Sequence, residues 1–204
     1  MDVGSGPSAS QTPIASHDYP PGARIVAIDE SAALADVLPL LASGNEKSLG
    51  VVCLGARFSI QAAWNGLYVS ARLDQGNMLR AVSTERAEWE DFKICTQNGV
   101  PDNVAFWSAA AGQYATAEFN YGGNTKGELR ARGNIVEDWQ VFRLVPQRFG
   151  LYNLKAYSVS WRDAPDYWVT AEFAFEGDQY GMLRARTKVR NPAQEWELFA
   201  ISNY

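Results

Sequence analysis

Histidine is almost missing from this chain: the single one, His17, lies in an N-terminal stretch with no apolar period. No nucleophile–histidine pair can form elsewhere unless that stretch takes part. The scattered cysteine and histidine also lack metal-ligand spacing, and no Gly-rich phosphate loop occurs, because Gly122-Gly123-Asn124 reads as a turn. No cofactor is expected. Cysteine is scarce too. Cys53 and Cys95 are too few for a disulfide scaffold, and both sit in apolar strand-like runs, which predicts buried free thiols, with a Cys53–Cys95 bond as the alternative. Basic side chains are outnumbered, 18 against 23 acidic, for a net charge of −5. Affinity for nucleic acid is carried mostly by Lys and Arg on phosphates, so no nucleic-acid partner is expected. No apolar run approaches the roughly 20 residues of a membrane span, so no membrane partner is expected either. A basic-then-apolar signal segment is absent at the N-terminus. The expected location is cytoplasmic, unless a leader was removed before Met1.

What the chain does have is aromatic residues, 12% of the total with seven Trp. Either a large aromatic core or an aromatic binding surface must account for them. It also has an internal repeat, the first thing to look for in a sequence. One copy runs Tyr68-Val69-Ser70-Ala71-Arg72, Leu79-Arg80-Ala81, then Trp89-Glu90-Asp91-Phe92-Lys93-Ile94. The next runs Tyr114-Ala115-Thr116-Ala117-Glu118, Leu129-Arg130-Ala131, then Trp139-Gln140-Val141-Phe142-Arg143-Leu144. The last runs Trp168-Val169-Thr170-Ala171-Glu172, Leu183-Arg184-Ala185, then Trp196-Glu197-Leu198-Phe199-Ala200-Ile201. From the first aromatic to the Leu takes 11, 15 and 15 residues, whereas the Trp-x-x-Phe-x-(Ile/Leu) ending keeps one spacing. Fixed motifs with variable spacers are what strands joined by surface loops produce. A period of about 50 residues would suit a propeller blade, but three blades are too few to close a propeller.

Residues 1–22 are rich in Ser, Pro, Gly and Asp and read as a flexible tail. Residues 23–47 read as an extension: a short strand at Arg24–Ile28, then a helix capped by Asp29 or Ser31. That helix places Leu34, Val37, Leu38 and Leu41 on one face, is shortened by Pro39 and ends at Gly44. The apolar face either packs on the main domain or docks a partner. From Ser48 the texture changes to short strand-like runs separated by turn signals such as Asn65-Gly66 and Gly76-Asn77. Four strands in each of three copies, burying their apolar face against one another, predict an all-β chain: a β-trefoil over 48–204 with pseudo-threefold symmetry. Alternation points Leu79, Leu129 and Leu183 inward and the adjoining arginines outward. It also assigns Phe92, Ile94, Phe142, Leu144, Phe199 and Ile201 to the core.

The motifs aromatic-Val-(Ser/Thr)-Ala-Glu, Leu-x-Ala and Trp-Glu-x-Phe-x-Ile resemble the repeat of the fascin-like β-trefoils. Within that group they are most similar to β-trefoil carbohydrate-binding modules, over Ser48 to Tyr204. The resemblance implies a shallow site in each lobe, made of an exposed aromatic and an acidic residue just after the Ala of the second strand. Glu118 and Glu172 match the acidic position; the first copy departs with Arg72. Trp107 and Trp161 stand seven residues before the aromatics of copies two and three, whereas copy one has Gln61 there and Trp64 displaced into the loop. An indole suits the apolar face of a sugar ring, and a carboxylate accepts from its hydroxyls. The structural alternatives are equally concrete. Alternation puts Trp107 outside if Phe106 is inside, whereas Trp161 shares parity with Val159 and Tyr157, which would place it inside, and Glu118 and Glu172 can pair with Arg130 and Arg184. Trp89, Trp139 and Trp196, at a constant offset from core Phe, are expected to be structural.

The leading expectation is a non-catalytic glycan-binding module, with a β-glucan as the ligand the resemblance implies. It would use Trp107, Glu118, Trp161, Glu172 and the displaced Trp64. An intracellular protein-interaction module, such as a fascin-like actin-binding protein, is the second reading. An enzyme or an enzyme's accessory subunit is the third, since paired carboxylates for glycoside cleavage are compatible with so many acids. Oligomeric state is left open by the sequence.

Overall fold

Alternating apolar segments form strands, and the Gly-, Asn- and Pro-bearing segments between them form the turns. The computed structural model of the protein describes residues 18–29, 31–42, 50–97, 103–156, 166–189 and 193–204. Among these residues the chain is all-β apart from short helical turns. The strands are β1 (Arg24–Val26), β2 (Val51–Leu54), β3 (Phe58–Ala62), β4 (Tyr68–Arg72), β5 (Met78–Ser83), β6 (Phe92–Gln97) and β7 (Asn103–Ser108). They continue with β8 (Gln113–Glu118), β9 (Glu128–Gly133), β10 (Phe142–Pro146), β11 (Leu151–Ala156), β12 (Tyr167–Glu172), β13 (Met182–Lys188) and β14 (Phe199–Asn203).

Six of these strands pair in a ring. The order β3, β6, β7, β10, β11, β14 returns to β3, where Ala62 lies opposite Phe199 and Phe58 opposite Asn203. A closed ring leaves no sheet edge to be covered. The hairpins β4–β5, β8–β9 and β12–β13 meet one another instead: Met182 pairs with Arg80, Arg184 with Glu128, and Met78 with Arg130. Backbone bonds tie them cyclically. The N–H of Ala81 donates to Gly181 at 2.7 Å, that of Ala185 to Gly127 at 2.7 Å, and that of Ala131 to Asn77 at 2.8 Å. All three acceptor residues are left-handed, at φ 61° for Asn77, 78° for Gly127 and 71° for Gly181.

Inside, Leu79, Leu129 and Leu183 are buried with Phe92, Phe142, Phe199, Ile94, Leu144 and Ile201, as alternation required. The arginines expected outside are a correction. Arg80 and Arg184 are buried and Arg130 is half-buried. The opposite face of these strands meets not solvent but the turn of the adjacent hairpin. Arg80 donates to the carbonyls of Tyr180 and Gly177, Arg184 to those of Lys126 and Gly123, and Arg130 to that of Gly76. Each hairpin thus clasps the next.

The N-terminal segment joins this body. β1 runs parallel to β2, which pairs antiparallel with β6. Leu34, Val37, Leu38 and Leu41 are buried in the same cluster as the barrel residues. The α-helix is one turn, Leu34–Val37, followed by a 3-10 stretch Leu38–Ala42 that contains Pro39. Its N-cap is Ala33 rather than Asp29 or Ser31. Those two form a turn of their own, the Asp29 carboxylate accepting from both the N–H and the hydroxyl of Ser31. His17, Gly44 and residues 1–17 of the expected tail lie outside the described residues.

The cysteines also correct the sequence reading. Cys53 and Cys95 stand directly opposite each other on β2 and β6 and are joined by a disulfide. Two apolar strand runs hid their pairing, because register is not visible in composition. On the same side of β6, buried Lys93 holds its ammonium 4.4 Å from the centre of the Tyr19 ring. Burial, with Arg57 next, pushes its pKa down to about 8, against the pull of Asp18 and Asp91. The unfolded chain keeps this proton to about 10.5, so it binds more protons than the folded one between those two values, and stability rises with pH there. Lys93→Met is therefore expected to stabilise the protein at pH 7 by about 2 kcal/mol, the linkage gain less the lost cation–π contact. That advantage should shrink as pH climbs from about 8 toward 10.5. Urea unfolding at the two ends of this window checks it; an equal gap at both contradicts it.

Candidate ligand-binding cleft

Three one-turn 3-10 helices, Glu88–Glu90, Asp138–Gln140 and Glu195–Glu197, precede β6, β10 and β14. In each, the third side chain folds back on the turn. Glu90 accepts from the N–H of Ala87 at 2.9 Å, Gln140 from Glu137 at 3.0 Å, and Glu197 from Gln194 at 2.7 Å. The last two also reach the neighbouring hairpin, Gln140 donating to Thr116 at 3.0 Å and Glu197 accepting from Thr170 at 3.1 Å. The buried anchor of each turn is thus the Glu or Gln, and the Trp before it is left at the surface. Trp89 and Trp139 are half-buried and Trp196 is 41% exposed. Their constant offset from core Phe reflects the frame of this turn, not burial of the indole.

Trp196 forms one wall of a cleft of about 440 Å³. Trp64 lines the same cleft beside it. It sits in the β3–β4 connection, which is tied down by the N–H of Ala63 on Leu198 and by an Asn65-Gly66 turn with Gly66 at φ 71°. Trp64 is 54% exposed, and its ring meets that of Trp196 edge-on, 6.3 Å between centroids. Phe173 and Phe175, just beyond the end of β12, add apolar surface, and Glu172 and Arg186 supply polar atoms. Glu172 is buried; both its oxygens accept from Nη1 of Arg186, at 2.9 Å and 3.1 Å, with Arg184 3.6 Å away. Arg186 also lies over the Phe175 ring, 5.9 Å from its centre.

The second copy repeats the carboxylate, arginine and aromatic part of this constellation. Glu118 is buried and paired with Arg132 and, at 3.7 Å, with Arg130. Arg132 lies over Tyr121 and donates to its hydroxyl at 2.6 Å. Burial raises the Glu118 carboxyl above its usual range, although Arg132 and Arg130 pull the other way. In the first copy Arg72 takes the carboxylate's place, gripping Asp74 and lying 5.6 Å from the centre of the Trp89 ring. A broader groove of about 630 Å³ there is lined by Arg72, Glu85, Glu88 and Trp89.

The structure brings two of the five residues singled out from sequence, Trp64 and Glu172, into one cleft, and places Glu118 at the equivalent strand end of the second copy, paired with Arg132. Trp107 is a correction. It is 4% exposed, stacked edge-on against Tyr114 at 4.9 Å between centroids and packed in a cluster with both cysteines. Phe106 is buried in the barrel core on the opposite face, while Tyr19, Ala23 and Ile25 of the N-terminal segment cover the Trp107 side of the strand. Alternation could not separate inside from outside on a strand buried on both faces. Trp161 lies outside the described residues. The sequence reading missed Arg132 and Arg186. Their signal was the second arginine of Leu-Arg-Ala-Arg, replaced by Val82 in the copy that also lacks the carboxylate.

No family model matches the sequence, and no curated protein matches it. Solved structures do. A designed three-fold symmetric protein, ThreeFoil, aligns with a TM-score of 0.57 at 12% identity, over 72% of this chain and 99% of that one. The BEL β-trefoil aligns at 0.54 and 13% identity, over 74% and 94%. A ricin B-like lectin of Macrolepiota procera, solved in complex with lactose, aligns at 0.54 and 10% identity, over 74% and 96%. At such identities the likeness establishes the fold, and the chain is a β-trefoil.

Proposed function

We propose that this β-trefoil binds a glycan, without reacting with it, in the cleft lined by Trp64 and Trp196. The observation that carries the reading is two solvent-facing indoles beside a fixed Glu172–Arg186 pair. Indole faces take the apolar side of a sugar ring, and the guanidinium and carboxylate meet its hydroxyls. The lactose complex of the Macrolepiota procera lectin supports the same use of this fold. We further propose that 48–204 comprise three four-strand units around a pseudo-threefold axis, with 23–47 as an N-terminal strand and helix extension. The second-copy group Glu118, Arg132, Tyr121 and Trp139 would be a further subsite, and a β-glucan a ligand long enough to span several sites. One ring on one indole yields modest affinity, so repeated sites act through avidity on a polymer.

A protein partner has less support. The apolar helix face that would have docked it is buried in the barrel core. The Cys53–Cys95 bond favours an oxidising compartment over the cytoplasm expected from sequence.

Glycan-array binding of the wild type, Trp64→Ala and Trp196→Ala tests the reading. Each variant should lose about tenfold or more in affinity, or about 1.4 kcal/mol. Undiminished binding in the double variant would remove the cleft from the account.

A further inference from the structure

We infer that the cleft selects a carboxylate-bearing sugar, a uronic or sialic acid residue, on the unoccupied edge of Arg186; this rests on the glycan reading above. Arg186 commits Nη1 to Glu172. Its Nε and Nη2 meet no acceptor among the described residues, and the residue lines the cleft with its side chain 54% exposed. Nε and Nη2 form one edge of the planar fork, which matches the two oxygens of a carboxylate. Arg72 shows this pairing within the same molecule: its Nε and Nη2 hold the two oxygens of Asp74 at 3.0 Å and 2.7 Å.

In the second copy the equivalent arginine has no such free edge. There Arg132 places Nε on Glu118 and Nη2 on the Tyr121 hydroxyl, so both donors are occupied. Three residues after the carboxylate, where that copy has Tyr121, the third copy has Phe175. A phenyl ring offers no acceptor oxygen, and Arg186 only stacks over it. Glu172 is the one carboxylate among the residues lining the cleft, and two arginines face it. Those three side chains sum to one positive charge. A ring stacked on the indoles could set its carboxylate on that charge.

The test is an array carrying uronic acid-terminated and sialic acid-terminated glycans, each beside its carboxyl-reduced neutral form, with a sulfated neutral glycan as a third arm. One acidic group should bind at least about tenfold more tightly than its reduced form, and which group does so identifies the source. Added salt should lower the ratio. Arg186→Lys keeps the charge but not the fork, and Phe175→Tyr supplies the hydroxyl that occupies the equivalent arginine in the second copy. Each should bring the ratio below about threefold. Three results would overturn the carboxylate proposal while leaving glycan binding in place: equal binding of acidic and reduced forms, stronger binding of the sulfated glycan, or an unchanged ratio in both variants. Binding of no glycan at all would overturn both.

Discussion

Gly127→Ala is expected to destabilise the protein by about 4 kcal/mol, a large share of a typical domain's stability. Gly127 sits at φ 78°, where an L side chain costs about 1–2 kcal/mol. The heavier penalty is contact. A Cβ built there lies 2.3 Å from the carbonyl oxygen of Ala185, a backbone atom that cannot swing aside. Relieving it means parting the two hairpins, which opens the Ala185–Gly127 bond and loosens the hold of Arg184 on Lys126. Gly150→Ala is the control. It shares the left-handed backbone at φ 71° but meets nothing within 4 Å, so it should cost only about 1 kcal/mol. Urea midpoints of the two variants compare these effects directly. Equal losses would mean that the hairpins are not in close contact at their meeting point.

Reduction of Cys53–Cys95 should remove about 4 kcal/mol as well. The bond closes a segment of 42 residues, and restoring that freedom to the unfolded chain favours unfolding by roughly this amount on the chain-entropy estimate. It also ties β2, and through it β1, onto β6 beside Trp107. Losing the bond should therefore weaken the N-terminal segment before the barrel. Urea unfolding with and without reductant, and of a Cys53→Ala/Cys95→Ala variant, reads the size of the effect. Hydrogen exchange at Ile25 and Val26 reads its location. An unchanged midpoint under reductant would return the two cysteines to the free-thiol reading.

The repeat was legible because its fixed positions are the ones that packing constrains. Leu79, Leu129 and Leu183, with Phe92, Phe142 and Phe199, all have to fill one core, which fixes their spacing in the sequence. The cleft was legible in part: Trp64 stood out as a displaced aromatic, and Glu172 as the residue closing its strand. What alternation could not resolve were positions whose other face meets protein rather than water. Arg80 and Arg184 read as solvent-facing, but the opposite face belongs to a neighbouring hairpin. Trp107 read as outside, yet Tyr19 and Ile25 cover that side. Trp196 went the other way, since a constant offset signals a constant role without saying which residue of the turn is the anchor. Only the side-chain bond of Glu197 to its own turn shows that the carboxylate goes in and the indole stays out.

The most direct test is to follow the indole N–H resonances of the seven tryptophans while titrating a glycan that the array identifies as bound. The account requires the signals of Trp64 and Trp196 to shift together and saturate at one dissociation constant, while Trp107, enclosed beside the disulfide, stays in place. Saturable binding that leaves both Trp64 and Trp196 unmoved would show that the ligand sits elsewhere on the molecule.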